Sequence, residues 1–204
     1  APDTDGLKNE VIFLKEHRFG YDHAIRNVCA KIVEVESREE MQSAINDRTA
    51  MLFYLNFTNN RSPMTRDEVA MLGKEKGIPT LIDAAADLPP VGNLRAYNVM
   101  GYDLVAFRGG KALRGPQCSA ILMGRKDLIR AAYLNGPPHS NSVGRIAKVG
   151  KEEIVGVTKA VELYTTRDHE AEWEAWDEAV RHILATVSRV PGGRGERFVP
   201  EIAN

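Results

Sequence analysis

Short apolar runs alternate with amphipathic stretches along the first two thirds of the chain. Val11–Lys15, Lys31–Val35, Ala50–Leu55, Pro79–Ile82, Leu104–Phe107 and Ser119–Met123 are rich in Val, Ile, Leu and Phe, as strands are. Between them Tyr21–Val28, Arg38–Asn46, Thr65–Lys76, Leu94–Met100 and Lys126–Leu134 have helical composition. Ser37 with Glu40, and Thr65 with Glu68, have the spacing of capping boxes, and Gly77 supplies a stop. Strands alternating with helices of about ten residues predict βαβ units, a mainly parallel sheet and right-handed crossovers. The strands are continuous apolar runs, which predicts that helices cover both sheet faces. The fold class is therefore α/β.

The character changes after the Gly-, Pro- and Ser-rich loop Asn135–Asn141. Lys151–Tyr164 and Asp168–Arg189 read as long helices, and Trp173, Trp176, Val180, Ile183, Leu184 and Val187 fall on one helical face. That stripe is most simply a packing surface. The tail Pro191–Asn204 has no periodicity. The organisation expected is a core over residues 1–150, a helical segment over 151–190 and a tail over 191–204.

Composition narrows the picture. The chain has 204 residues, 43% hydrophobic and 27% charged, enough for a core without staples. A net charge of −1 gives no bulk attraction to nucleic acid or anionic membrane. No apolar run approaches the roughly 20 residues that span a bilayer, and no basic segment followed by an apolar stretch opens the sequence. Cys29 and Cys118, far apart, are expected as buried thiols rather than a disulfide framework, which suits a reducing, cytoplasmic setting.

In an open parallel sheet, ligands bind outside the carboxyl ends of the strands. Reading those ends in order gives His17, Arg18 and Tyr21, then Asn56, Thr58, Asn59, Asn60 and Arg61, then Asp83. After the fifth strand follow Arg108, Gly109, Gly110, Lys111, Arg114 and Gln117. Loops are polar in any protein, so this cluster alone leaves a solvated edge and a site equally open. Asp83 ends an apolar strand and is followed by three alanines, which leaves open floor beside its carboxylate. Lys111 follows two glycines, so the backbone is free to turn and aim its amine back over the edge. A carboxylate and a lysine around a shallow Ala-lined space suit pyridoxal phosphate, the lysine as Schiff-base partner and the carboxylate on the pyridine nitrogen. Taken singly, a GGK lysine is as readily a solvated loop residue and a strand-end Asp a cap.

Other templates fail. Lys111 is followed by Ala112 and lacks the glycine spacing of a nucleotide phosphate loop, and no G-x-G-x-x-G follows a strand. His17, His23, His139, His169 and His182 form no H-E-x-x-H or zinc set, and there is no G-x-S-x-G. Basic residues are not interleaved with an aromatic stripe.

The runs LIDAAADLPP (Leu81–Pro90), GYDLVAFRGGKALRGPQCSAILMGRKDLI (Gly101–Ile129) and VGKEEIVG (Val149–Gly156) resemble the selenocysteine-synthase-like branch of fold-type-I pyridoxal-phosphate enzymes. That branch includes L-seryl-tRNA(Sec) selenium transferase and D-glucosaminate-6-phosphate ammonia-lyase-like proteins. The opening from Pro2 to Glu36 is similar to the branch's mid-domain segment. The resemblance implies a three-layer large domain and pyridoxal 5'-phosphate as cofactor. It makes Lys111 the Schiff-base lysine, Asp83 the partner of the pyridine nitrogen, and Ala85 a contact to one ring face. It implies that Arg108 and Gly110 flank the cofactor; Arg108 stands where the branch has a small hydroxyl residue near the phosphate, and either takes over as a cationic clamp or points away and weakens cofactor binding.

GGKALRGPQ with Arg114 is more similar to the ammonia-lyase-like members than to the transferases. The implied reaction is α-proton removal by Lys111 from a small amino acid or amino-sugar acid, loss of a β-hydroxyl, and release of ammonia. Arg114, Gln117, Arg145 and Lys148 are candidates for the substrate, together with Lys151; the last three cations read equally as solvated charge before a helix. The branch also implies a homo-oligomer, while the charge balance and hydropathy point to no membrane partner and make a nucleic-acid partner unlikely. Its members carry a preceding segment with the phosphate-cradling loop and the ring-stacking residue, and a small domain beyond Val190–Gly192. The large domain is thus expected to be incomplete at both ends. The alternatives are a non-catalytic fragment and a selenium transferase acting on aminoacyl-tRNA; the net charge weighs against the latter.

Overall fold

The computed structural model describes residues 3–56 and 62–198. Its sheet has six strands in the order β2-β1-β3-β4-β5-β6. These are β1 (Glu10–Leu14), β2 (Lys31–Val35), β3 (Thr49–Leu55), β4 (Thr80–Asp83), β5 (Leu104–Arg108) and β6 (Ala120–Gly124). β1 to β5 pair in parallel, and β6 returns antiparallel to β5. The helices are α1 (His23–Arg26), α2 (Arg38–Ala44), α3 (Arg66–Lys76), α4 (Asn93–Met100), α5 (Lys126–Leu134), α6 (Lys151–Thr166) and α7 (His169–Val187). Among the described residues no helix is long and apolar enough to cross a membrane.

Helix ends follow local chemistry. The Ser37 side chain accepts the Glu40 N–H, while the Glu40 carboxylate reaches back to the Glu36 N–H, one residue before the cap. At α3 the reciprocal box of Thr65 and Glu68 is complete, and Gly77 ends the helix at φ 65°, where a side chain would be strained. The expected helix over Tyr21–Val28 is shorter, a 3-10 turn at Gly20–Asp22 followed by α1. The ion pairs of Asp22 with Arg18 and Arg26 hold the chain in that compact turn.

The principal core lies on one face. Ile12, Leu14, Leu52, Tyr54, Ile82, Val105 and Phe107 meet Met41 of α2, Val69 and Leu72 of α3, Tyr97 of α4 and Tyr164 of α6. On the opposite face Val11, Phe13 and Phe53 are covered by Phe19, Ile25 and Ala30. Helices thus flank both faces in three layers, but coverage is uneven. β1 is buried throughout, whereas β6 alternates exposed and half-buried positions. The continuous apolar run of β6 did not report two covered faces: as the antiparallel edge strand, it has one face against the core and one open.

Two further expectations are corrected. Cys29 and Cys118 are both exposed, because each sits in a connection outside the sheet. The apolar stripe of α7 is not a filled packing surface among the described residues: the helix buries none of its residues, and Trp173 and Trp176 remain 47% and 45% exposed. Periodicity reports that a face is apolar, not that its partner is present.

Candidate active site

The parallel strands deliver their carboxyl ends to one edge, and a cavity of about 420 Å³ opens there. Its lining comprises Phe19 and Tyr21 from the β1–α1 connection, Leu55 at the end of β3, Asp83, Ala85, Ala86 and Asp87 after β4, and Arg108 and Lys111 after β5. The expected Asp83 and Lys111 therefore share one cavity, with Ala85 and Arg108. Thr58, Asn59, Asn60 and Arg61 lie outside the described residues.

Asp83 is the last residue of β4 and is half-buried. Its Oδ1 accepts the Ala85 N–H at 3.0 Å, which orients the carboxylate. Burial pushes its proton affinity up, and the Ala85 N–H and the Lys111 charge pull it partly back. An opposing cation in the cavity would therefore find a carboxylate not already committed to a salt bridge.

Lys111 is exposed at the tip of a turn that the rest of the loop holds tightly. Neither Gly109 nor Gly110 has positive φ. Their need is close approach instead. A Cβ on Gly109 would lie 2.1 Å from Ser119 Oγ, and one on Gly110 would lie 2.6 Å from the Gln117 Cα. Gln117 Nε2 donates to the Gly110 carbonyl at 2.9 Å, and Arg108 reaches Gln117 Oε1 at 3.5 Å. The left-handed conformation falls on Arg114, at φ 58°, and its guanidinium pairs with Glu172 of α7 at 2.8 Å. Arg114 and Gln117 thus brace the lysine loop, and neither lines the cavity. Arg145 lies in the 3-10 turn Val143–Ile146 and Lys148 is exposed beyond it, both outside the cavity lining.

Behind Asp83 lies a buried polar group that sequence reasoning missed. Asp87 is 2% exposed; its Oδ2 accepts from the Tyr97 hydroxyl at 2.8 Å and from Asn56 Nδ2. Asn56 Nδ2 also donates to the Tyr97 oxygen at 3.0 Å, while Asn56 Oδ1 accepts from Arg66 at 3.2 Å. The Arg66 guanidinium lies 5.6 Å from the centre of the Tyr97 ring. Burial raises the proton affinity of Asp87, as does the neighbouring Asp83 charge, against the bonds from Tyr97 and Asn56. The available signal was a second aspartate in DAAAD, but its partners come from β3, α3 and α4. Phe19 also escaped notice; its ring meets that of Tyr21 at 5.8 Å on the cavity rim.

Comparison with known proteins matches residues 24–175 to the L-seryl-tRNA selenium transferase family. The 5'-C-glycyluridine monooxygenase-decarboxylase of a Streptomyces species is 31% identical over 94% of this chain and 49% of its own length. The D-glucosaminate-6-phosphate ammonia lyase of Salmonella typhimurium is 30% identical over 94% of this chain and 51% of its own. A solved structure of D-glucosaminate-6-phosphate ammonia-lyase superposes with a TM-score of 0.70 at 32% identity, over 82% of this chain and 46% of that one. The chain therefore spans about half the length of the curated relatives it matches.

Proposed function

Because the chain belongs to the L-seryl-tRNA selenium transferase family, we propose that it binds pyridoxal phosphate at Lys111 and serves lyase-type chemistry on a small amino acid or amino-sugar acid. The observation that carries this reading is the shared cavity of Lys111 and a half-buried Asp83 oriented by the Ala85 N–H. The residues fit the cofactor chemically: a free amine, a carboxylate for a pyridine nitrogen, an alanine floor, an aromatic rim and the Arg108 cation. When bound, pyridoxal phosphate supplies an electron sink for charge developing at a substrate α-carbon.

The chain's own residues do the rest. Asp83 would hold the ring nitrogen, and a cation there would favour the ionised carboxylate against the opposing effect of burial. Lys111 would hold the cofactor covalently, and its free amine would be the base placed to take an α-proton. Gly110 lets the loop carrying Lys111 lie against Gln117. Arg108 ends β5 on the cavity and offers a cation for phosphate. Phe19 and Tyr21 narrow the mouth against water. Arg145 and Lys148 are the candidates for a substrate carboxylate or phosphate; Arg114 and Gln117 take part through the loop they brace.

The relatives' names share a 2-amino acid unit, as a glycyl, glucosaminate or seryl group. This supports an α-amino acid centre as the substrate class; β-elimination with ammonia release, in a cytoplasmic homo-oligomer, completes the proposal. The test is spectroscopic. Purified protein mixed with pyridoxal phosphate should gain a near-visible absorption band that Lys111→Ala abolishes. A wild-type protein that never gains the band overturns the reading for this chain. Strong, salt-sensitive affinity for serylated tRNA would shift the substrate to the aminoacyl-tRNA class.

A further inference from the structure

The buried group behind Asp83 is more than a polar filler of the core. Asn56 uses both ends of its amide: the oxygen accepts from Arg66, and the nitrogen lies within hydrogen-bonding reach of both Asp87 and the Tyr97 oxygen. The Tyr97 hydroxyl then donates its one hydrogen to Asp87. The Asp87 carboxylate is thus held by Asn56 just past β3 and by Tyr97 of α4, with Arg66 of α3 bonded to Asn56 behind them. Its backbone is fixed as well, since the Asp87 N–H donates to the Ala84 carbonyl at 3.1 Å and the Asp87 carbonyl accepts from Asn93 Nδ2 at 2.6 Å. The segment between Asp83 and Asp87 is therefore held at both ends. One end is the β4 strand, where the Ala84 N–H donates to the Ala106 carbonyl at 3.0 Å. The other end is the Asp87 clamp. Ala85, whose N–H aims the Asp83 carboxylate, sits between them.

We propose that Asp87, clamped by Asn56 and Tyr97, is a positioning residue for Asp83: it fixes the turn that aims the Asp83 carboxylate and adds a second negative charge behind it. The proposal rests on the cofactor reading only for the identity of the cation that Asp83 meets. Among the described residues, the titratable and charged groups facing the two carboxylates are Tyr21 before α1, Arg66 on α3, Tyr97 on α4, Arg108 at the end of β5 and Lys111 beyond it. Asp87 lines the same cavity as Asp83, so both carboxylates face a cation bound there. A cation held against Asp83 is stabilised by both carboxylates.

The discriminating variants are Asp87→Asn, which keeps shape and an acceptor for Tyr97 but removes the charge, and Tyr97→Phe, which removes one clamp bond and keeps the ring. Two measurements go together on the full chain: amide hydrogen exchange at Ala85 without cofactor, and the pH midpoint of the near-visible band after adding pyridoxal phosphate. Tyr97→Phe should speed exchange at Ala85 about 10-fold. Asp87→Asn should lower the pH midpoint by about 0.5–1 unit, because the cationic form loses a nearby anion. A purely structural role would lower the melting temperature of both variants without moving the midpoint. Unchanged Ala85 exchange in Tyr97→Phe together with an unmoved midpoint in Asp87→Asn overturns the proposal. If wild-type protein takes up no cofactor, yet Tyr97→Phe deprotects Ala85, the positioning of Asp83 stands while the cofactor reading falls. Should Asp87→Asn fail to fold, the midpoint and exchange of Tyr97→Phe decide alone, with a smaller downward shift expected as the weakened clamp lets the Asp87 charge recede.

Discussion

Gly109→Ala should disturb the Lys111 loop through a single, nameable collision. The added Cβ would lie 2.1 Å from Ser119 Oγ and 3.2 Å from Ser119 Cβ, with the Ser119 carbonyl oxygen at 3.1 Å. The two nearest side-chain obstacles belong to one residue, and the remaining backbone contact is tight but tolerable. Overpacking of this kind costs about 1–3 kcal/mol. At roughly 2–4 °C per kcal/mol for a chain of this size, the melting temperature should fall by about 2–12 °C. Ser119→Gly alone forfeits the hydrogen bond from Ser119 Oγ to the Pro116 carbonyl at 2.6 Å. With the loss of backbone restraint, that costs about 1–2 kcal/mol. The double variant Gly109→Ala/Ser119→Gly removes the obstacle, so it should melt within about 2 °C of Ser119→Gly alone, a favourable coupling of at least about 1 kcal/mol. Gly110→Ala offers the contrast: its Cβ would lie 2.6 Å from the Gln117 Cα, a backbone atom that no side-chain truncation removes. Gln117→Gly should therefore fail to rescue it. Thermal denaturation of the variants in a double-mutant cycle reads the result. Strict additivity for Gly109 and Ser119, or full rescue of Gly110→Ala by Gln117→Gly, would refute the reasoning that contact distance sets the need for glycine in this loop.

Asp83→Ala should leave the near-visible cofactor band obtainable through Lys111 but cut turnover by orders of magnitude, as steady-state kinetics would show; unchanged turnover removes Asp83 from the ring nitrogen. His17 is fully buried, its Nδ1 accepts the Leu55 N–H at 3.2 Å, and burial pushes its pKa down to about 4. The unfolded imidazole takes up a proton below about pH 6.5 that the folded one refuses. Stability from this site is therefore full above pH 6.5 and lost as pH falls toward 4, on the order of 3 kcal/mol in all. Melting curves between pH 7.5 and 4.5 should show a fall that His17→Gln flattens. At Arg114, φ 58° favours glycine while the Glu172 ion pair favours arginine. Arg114→Gly should change stability by less than about 1 kcal/mol, whereas Arg114→Ala, strained and unpaired, should cost about 1 kcal/mol more than the glycine variant; equal losses in denaturant unfolding would show that backbone strain plays no part.

What could be read locally was read well. The α2 and α3 caps depend on residues three apart, and β2, Lys31–Val35, has the same limits in sequence and structure. Pairing Asp83 with Lys111 was legible too, because each follows an apolar strand and β4 pairs directly with β5. The requirement at Gly109 and Gly110 was legible as two glycines but not as its cause. Only the fold shows that Ser119 and Gln117 return against them, so the cause is crowding and not a left-handed turn. Arg114 illustrates the reverse: a cation suited to a substrate by type is committed to Glu172, a partner 58 positions further along the chain.

The sequence by itself determined the order of the strands, most of the helices and the caps of α2 and α3, and it named Asp83 and Lys111 as candidates, because each follows from period, capping and strand-end rules confined to a few neighbouring residues. The tertiary structure alone decided which of the edge residues share a cavity, which only brace it, and that Asp87 stands behind Asp83. It also decided that the α7 stripe and one face of β6 stay open. These are matters of distance between segments remote in sequence. Asn56, Arg66, Asp87 and Tyr97 carry no common motif, and they meet because parallel pairing brings the ends of β3 and β4 beside α3 and α4.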